Sequence, residues 1–229
     1  MFLARRSAQA EYFDAPERTA SELAEHYVWL NRVNRVTRFD RPFRMWIPRL
    51  LPESDCRDLT VLDVGAGDGE LGRTLSAWAR QQEWLWKFTD LDLSPHACGL
   101  NPNPRAKVGS ATALPFPDRS FDVVVATTMT HHLPEEADVV AHFREAARVA
   151  RRLVLVCDMQ RSAWFLGALG LFLWLHRVPR EFREDGLLSV RRGWRVDEWQ
   201  RMAEAAGLKQ ARVWSEHGTR VLLSVEKKA

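Results

Sequence analysis

Only three cysteines occur in 229 residues, at Cys56, Cys98 and Cys157. Their number is odd, their spacing is wide, and no histidine cluster at metal-ligand spacing accompanies them. A disulfide framework and a zinc site are therefore excluded as readings, and reduced thiols in a cytoplasmic protein are expected. A strong charge of one sign is also missing. Lys plus Arg number 33 and Asp plus Glu 30, for a net charge of +3, although the pI is near 9.0. The arginine pairs Arg5-Arg6, Arg151-Arg152 and Arg191-Arg192 are scattered among acids. They form no basic stripe, so a nucleic-acid partner is not expected. No apolar segment follows Arg5-Arg6, so no signal peptide is expected. The charge-free run Ala163–Leu175 falls short of the roughly 20 apolar residues that a membrane-spanning helix needs.

What is present is concentrated in one place. Val61-Leu62-Asp63-Val64-Gly65-Ala66-Gly67-Asp68-Gly69-Glu70-Leu71 reads as a strand, a turn with glycines at alternate positions, and the start of a helix that continues through Leu75 and Trp78. Such a turn lets a ligand approach the backbone where side chains would collide. The amides of the helix N-terminus are suited to a negative group, while Asp63 at the strand tip suits a positive one. A ligand carrying both an amine and a carboxylate matches that pair. Gly67, Gly69 and Gly72 also match G-x-G-x-x-G, a weak signal by itself. Counted from Gly65, however, the third glycine of a dinucleotide site falls on Glu70. Phe88-Thr89-Asp90-Leu91-Asp92-Leu93-Ser94 then reads as a second parallel strand, with Asp92 at its tip placed to accept from ribose hydroxyls. Asp90, two residues earlier on the same face, is the less exposed rival.

A third block follows, Gly109-Ser110-Ala111-Thr112-Ala113-Leu114-Pro115-Phe116-Pro117-Asp118-Arg119-Ser120-Phe121-Asp122, leading into Val123-Val124-Val125 and His131-His132-Leu133. With Asp63-x-Gly65-x-Gly67-x-Gly69 and Asp92-Leu93-Ser94-Pro95, it makes residues 61–133 resemble the class I S-adenosylmethionine-dependent methyltransferases. A looser likeness reaches the bacterial enzymes of small natural products and quinone-like compounds, through Asp158, Arg161-Ser162, Asp185-Gly186 and Ser189-Val190-Arg191-Arg192. The resemblance implies S-adenosyl-L-methionine as cofactor. It places Gly65, Ala66, Gly67 and Gly69 along the methionine portion, with Asp63 near its ammonium group. Asp92 and Leu93 fall at the ribose, Ser110 and Ala111 at the adenine, and Thr127 in the same cofactor-binding set. The family commonly has an acidic residue where Ser110 stands, and serine is a shorter, uncharged acceptor.

The resemblance implies an α/β fold, a Rossmann-like, seven-stranded, mostly parallel sheet with a C-terminal antiparallel hairpin and helices on both faces. Residues 1–55 carry helical spacing at Leu23, Tyr27, Leu30 and Asn34, then at Phe43, Trp46, Ile47 and Leu50. They are expected to form two or three helices that pack on one side of the sheet or, as the resemblance implies, roof the substrate pocket as a lid, preceding a methyltransferase domain at 56–229. Further strands are expected at Asp122–Thr127 and Leu153–Asp158, with a helix at 137–150 between them. Ala163–Leu175 reads as a buried helix packed on the sheet, with an apolar pocket wall or a membrane-surface contact as its functional alternatives. Residues 183–194 read as a mixed loop or short strand within an insertion at about 161–195. A helix opens at Val196 and ends at Gly207. Strands near Leu208–Ser215 and Arg220–Glu226, joined at His217-Gly218, make the closing hairpin.

The expected reaction is in-line methyl transfer to a small lipophilic or aromatic acceptor. His131 and His132 follow the fourth strand where acceptor and cofactor should meet, and His132 is the preferred general base. One of the pair is expected to be structural. Arg191 and Arg192 suit an anionic substrate group or surface ion pairing. Trp29, Trp46, Trp164 and Trp194 suit stacking on an aromatic acceptor or ordinary packing. Two alternatives stay open: an RNA or protein methyltransferase, and a non-catalytic cofactor-binding protein. Thr127-Thr128-Met129-Thr130 stands where exocyclic-nitrogen methyltransferases carry asparagine-proline-proline-aromatic.

Overall fold

Alternation of short β-branched strands with amphipathic helices from residue 58 onward builds a parallel sheet, because each parallel return needs a crossover. The computed structural model describes residues 3–15 and 18–227. Seven strands pair in the order β3-β2-β1-β4-β5-β7-β6. They are β1 Asp58–Val64, β2 Leu85–Asp92, β3 Lys107–Val108, β4 Phe121–Thr127, β5 Ala150–Met159, β6 Arg212–Glu216 and β7 Arg220–Glu226. The first five are mutually parallel, and β7 runs antiparallel to both β5 and β6. The strand order reverses between β1 and β4, which places the ligand crevice at their carboxyl ends.

Four helices, α4 (Glu70–Gln81), α5 (Pro95–Leu100), α6 (Glu136–Val149) and α9 (Val196–Ala205), accompany the strands. One core lies under α6 and α9 and centres on Phe143, Trp199 and Val124, all fully buried. The other lies under α4 and centres on Phe43, Ile47 and Leu75. Strand β4 is buried along its whole length and β1 from Val61 onward, because both of their faces are covered there.

The N-terminal extension contains a 3-10 turn at Tyr12–Asp14 and helices α1 (Ala20–Thr37), α2 (Arg41–Leu50) and α3 (Glu53–Cys56). A capping box between Thr19 and Glu22 starts α1. Helix α2 joins the sheet core. Helix α1 instead packs, through Trp29, Leu30 and Val33, on a satellite cluster formed by α7 (Ala163–Leu175) and α8 (Arg180–Arg192).

Three expectations need correction. Residues 183–194 are largely helical rather than a loop or strand, since α8 runs through Arg192. Gly186 is tolerated in mid-helix because Leu173 of α7 packs directly over it. Second, α7 is helical but is not buried on the sheet. Only Leu169 and Leu173 are buried, while Trp164, Leu171, Trp174 and Leu175 stand 57–63% exposed. Third, the hairpin begins at Arg212 rather than Leu208, because Leu208 is used to close the core after α9. Among the described residues, no helix is long and apolar enough to cross a membrane.

Candidate functional site

A cavity of about 1230 Å³ opens at the carboxyl ends of β1, β2 and β4, larger than the ~300–1,000 Å³ usual for one small ligand. Asp63, Gly65, Ala66, Gly67, Asp92, Leu93, Ser110, Ala111, Thr127, His131 and His132 all line it. Gly69 does not. Its backbone turns the chain into α4 at φ +78°, and a Cβ there would meet Asn101 at 2.5 Å.

The glycine turn is held by bonds that answer the question of where its amides point. Gly65 and Ala66 donate to Leu91 O at 2.7 and 3.1 Å. Gly67 donates to Asp92 Oδ2 at 2.8 Å, and Ser94 donates to Asp92 Oδ1 at 2.9 Å. The amides of Gly65, Ala66 and Gly67 are therefore engaged with β2, while at the start of α4 Gly69 donates to Ala66 O and Glu70 to Asp68 Oδ1. Asp92 braces two loops, and each of its oxygens retains acceptor capacity. Glycine is required at 65 and 67 on two grounds. Both have left-handed backbones, at φ +74° and +56°, and side chains press on them: Met129 on Gly65 and Tyr27 on Gly67.

Asp63 is the anomaly of the site. It is 1% exposed, and neither carboxylate oxygen has a hydrogen-bond partner among the described residues. Burial first, then the charges of Asp90 and Asp92, push its pKa well above the usual carboxylate range. A buried carboxylate without donors is a costly arrangement, and an ammonium group in the adjoining space would relieve it. Asp90 differs: Asn101 Nδ2 donates to it at 2.9 Å. The Ser110 hydroxyl is shared within its own turn, 2.8 Å from Thr112 Oγ1.

A further stretch of the cavity wall is made by the ends of β4 and β5 and by the N-terminal segment. Thr128, a β-branched residue at φ +47°, turns the chain out of β4, an arrangement that costs ~1–3 kcal/mol and clusters at functional sites. His131 is buried. Its Nδ1 lies 2.8 Å from Asp158 Oδ1, and its N–H donates to Asp158 Oδ2 at 2.8 Å. Asp158 also accepts from Thr130 Oγ1 and Met159 N. Burial opposes its charge, but His131 and these donors outweigh that and hold its pKa below the ordinary value. His132 is half-buried, with Nδ1 3.0 Å from Asp14 Oδ1. Burial disfavours its imidazolium, yet the hydrogen bond to Asp14 and the charges of Glu11 and Asp14 prevail and raise its pKa. Asp14 is shifted the other way: the His132 and Arg192 contacts overcome burial and hold it below the usual carboxylate range.

Arg192 binds this wall together. Its Nη1 lies 2.8 Å from Asp14 Oδ2 and 3.5 Å from Glu11 Oε1, and its Nε and Nη2 donate to the carbonyls of His131 and His132. It is 7% exposed, so it makes a buried ion pair rather than the surface pair read from sequence. Ser189 Oγ donates to Glu11 Oε1 at 2.8 Å, and Asp185 accepts the amides of Tyr12 and Phe13 at 2.8 and 3.1 Å. Glu11, His131 and His132 bring three ligand atoms within 4.8 Å of one another. The partners just named already engage these groups, and the guanidinium beside Glu11 opposes a further cation. We read the cluster as a hydrogen-bonded charge network.

Sequence reasoning missed Glu11, Asp14, His26 and the cavity role of Tyr27. Glu11 and Asp14 sit in no motif, and the helical spacing that marks Tyr27 marks packing residues equally. His26 lines the cavity against Phe13 and Phe182, and burial lowers its pKa to about 4. No tryptophan lines the cavity among the described residues. Trp194 instead donates to Thr130 O and stacks under Arg6; Trp46 meets Trp214 edge-on. The apolar lining comes from Phe13, Leu30, Phe39, Phe165, Leu169 and Phe182.

The methyltransferase domain family matches residues 62–156. Over 165 residues the chain is 30% identical to YcgJ, an uncharacterised methyltransferase of Bacillus subtilis (strain 168), covering 68% of this chain and 60% of that protein. It is 32% identical over 148 residues to a demethylmenaquinone methyltransferase of Roseiflexus sp. (strain RS-1), covering 62% of this chain and 57% of that one. The chain thus spans less than two thirds of the length of either relative. In fold it is similar to an S-adenosylmethionine-dependent methyltransferase from Aquifex aeolicus, with a TM-score of 0.57, 17% identity, and coverage of 91% of this chain and 98% of that one.

Proposed function

We propose that this chain, which belongs by motif and fold to the class I S-adenosylmethionine-dependent methyltransferases, transfers a methyl group to a small, lipophilic, hydroxyl-bearing acceptor. One observation carries the reading: a single cavity is lined both by the Asp63 carboxylate, unpartnered among the described residues, and by the His132–Asp14 pair, which we take as its two functional ends. S-adenosylmethionine, when bound, supplies an activated methyl on a sulfonium. Asp63 would face its ammonium group, Asp92 its ribose, and Leu93, Ser110 and Ala111 its adenine, with Gly65 and Gly67 leaving room for the backbone approach. Tyr27 of α1 closes over Gly67, and Asn31 and Asn34 fasten α1 to Asp68 and Glu70.

The residues at the other end orient the acceptor and take its proton. Asp14 fixes the His132 ring through Nδ1, which leaves Nε2 as the base, the arrangement by which a carboxylate orients a catalytic histidine. Such a base contributes ~10²–10⁴ in rate. His131, locked on Asp158, serves as a structural post. The apolar lining excludes water and favours alignment over a competing hydrolysis. The similarity to a demethylmenaquinone methyltransferase supports an acceptor with an apolar body. The cavity is enclosed by the N-terminal segment, α1 and α8, which favours a small molecule over RNA or a protein surface.

Calorimetric titration with S-adenosylhomocysteine, with NADH as control, tests the cofactor. Binding of the first alone, lost in Asp92→Ala, is expected; binding of NADH alone would refute the assignment. His132→Ala should then lower turnover of a phenolic acceptor at every pH, and unchanged turnover would remove His132 as base.

A further inference from the structure

Helix α7 has no polar side. Its inward residues Phe165, Leu169 and Leu173 line the cavity, and Leu169 and Leu173 anchor the satellite cluster with Val178 and Phe182. At 100° per residue, Trp164, Leu171, Trp174 and Leu175 fall in one stripe on the opposite side, with the exposed Gly167 and Ala168 between them. The four large side chains are 57%, 58%, 63% and 60% exposed. A surface helix normally turns charged residues outward, and this one carries none.

We propose that this outward face of α7 docks on a lipid bilayer surface, with the helix lying in the interfacial plane. The stripe presents on the order of 500 Å² of apolar surface, at the upper end of what a monomer ordinarily exposes. That is short of the ~800 Å² per partner of a stable protein interface, so a second copy fits it less well. The composition suits an interfacial position: a tryptophan near each end of the helix, Trp164 and Trp174, where an amphipathic ring sits well between acyl chain and headgroup, with Leu171 and Leu175 beside them. Exposed Arg177 and Arg180 follow at its C-terminal end and are matched by exposed Glu181 and by Glu184, which pairs with Arg180 at 2.7 Å. These four side chains carry no net charge, so the docking rests on the apolar stripe and its tryptophans. The helix is too short to cross, and lying flat needs only one apolar face.

The docking itself does not depend on the methyl-transfer reading. Joined to that reading, it gives the acceptor a source. One helix diameter, ~10 Å, separates the outward face from the cavity-lining face. Trp164 lies beside Gly218 of the β6–β7 turn, whose neighbours His217 and Thr219 also line the cavity. An acceptor with a hydrocarbon tail could enter along this side without crossing water.

The test is flotation of the purified protein with vesicles of phosphatidylethanolamine and phosphatidylglycerol, and with phosphatidylcholine vesicles for comparison. The wild type should float with both kinds of vesicle, since the apolar stripe rather than charge drives the docking. Leu171→Glu/Trp174→Glu/Leu175→Glu should reduce the floated fraction by about tenfold or more. S-adenosylhomocysteine affinity, unchanged in the triple variant, reports that the cavity end is intact. Should that variant misfold, Leu171→Ser/Leu175→Ser provides a milder loss in the same direction. A wild type that stays at the bottom of the gradient, or variants that float as well as it does, would overturn the proposal. So would a concentration-dependent dimer that the same substitutions abolish, since the face would then belong to a second copy. Failure of S-adenosylhomocysteine to bind the wild type would refute the cofactor reading while leaving the flotation result to stand separately.

Discussion

The glycine turn after β1 and the histidine turn after β4 flank the same switch point, yet they are held in different ways. The first is held chiefly by backbone: Gly65 and Ala66 hang from the Leu91 carbonyl of the neighbouring strand, with neutral or single-charge side-chain support from Asp92 and Asn101 at Gly67. The second is held by charge, through Asp158, Glu11, Asp14, Arg6 and Arg192 converging on two adjacent histidines. Backbone-held geometry survives most substitutions around it. Charge-held geometry depends on every partner, because each buried ion left unpaired is costly.

That contrast can be broken most severely at Arg192. Arg192→Met should cost about 3–5 kcal/mol by removing the guanidinium that Glu11 and Asp14 share and the donors to the His131 and His132 carbonyls, read as a lowered Tm. An unchanged Tm would mean the network is dispensable. Gly67→Val comes next: strain of ~1–3 kcal/mol at a left-handed position and displacement of Tyr27 should abolish S-adenosylhomocysteine binding while circular dichroism keeps its α/β signature. Retained binding would sink the cradle.

Asp14→Asn should act on rate and on pH together. A base must be neutral, and the pKa of His132 lies above its ordinary 6.5, so wild-type turnover should rise with pH through a limb above that value. Without the Asp14 charge the limb moves to lower pH, and the plateau falls as the ring loses its orienter. A merely structural Asp14 would lower the plateau and leave the limb in place. The sign for stability is separate. A raised histidine pKa contributes stability fully below its unfolded value and loses it as pH rises through the folded one. Asp14, with its lowered pKa, contributes above the unfolded carboxylate value and loses it as pH falls through the folded one. The smallest effect is expected at Ser110→Asp, which should tighten S-adenosylhomocysteine by a few-fold, one added hydrogen bond contributing ~0.5–1.5 kcal/mol. Weaker binding would mean Ser110 is needed within its own turn.

The same contrast explains what was legible in the sequence. Residues 61–133 carry their geometry locally, in glycines that a left-handed turn requires and in acids at strand tips, and so the sheet and the turns that line the cavity could be anticipated from these motifs and the family they resemble. Glu11 and Asp14 act only through partners far along the chain, and no local pattern marks such a contact. Helix α8 was missed because Asp185-Gly186 looks like a turn until Leu173 is seen packing against it. In α7 the helix was legible but its surroundings were not, since an all-apolar run reads as buried whether or not anything covers it.

The fastening of residues 3–15 also has a consequence for how the site comes into being. Leu3 accepts from Arg161 and Arg195, Arg6 reaches His131 and Arg192, and Glu11 is met by Ser189, 178 residues further on. Chains emerge from the ribosome N-terminus first, at ~5–20 residues per second, so Glu11 waits roughly 10–35 s for its partner. During that interval the glycine turn can already fold on its own strands, while the histidine turn has no Arg192 to hold it. Birth order makes the glycine turn old and the histidine turn the last part of the cavity to mature.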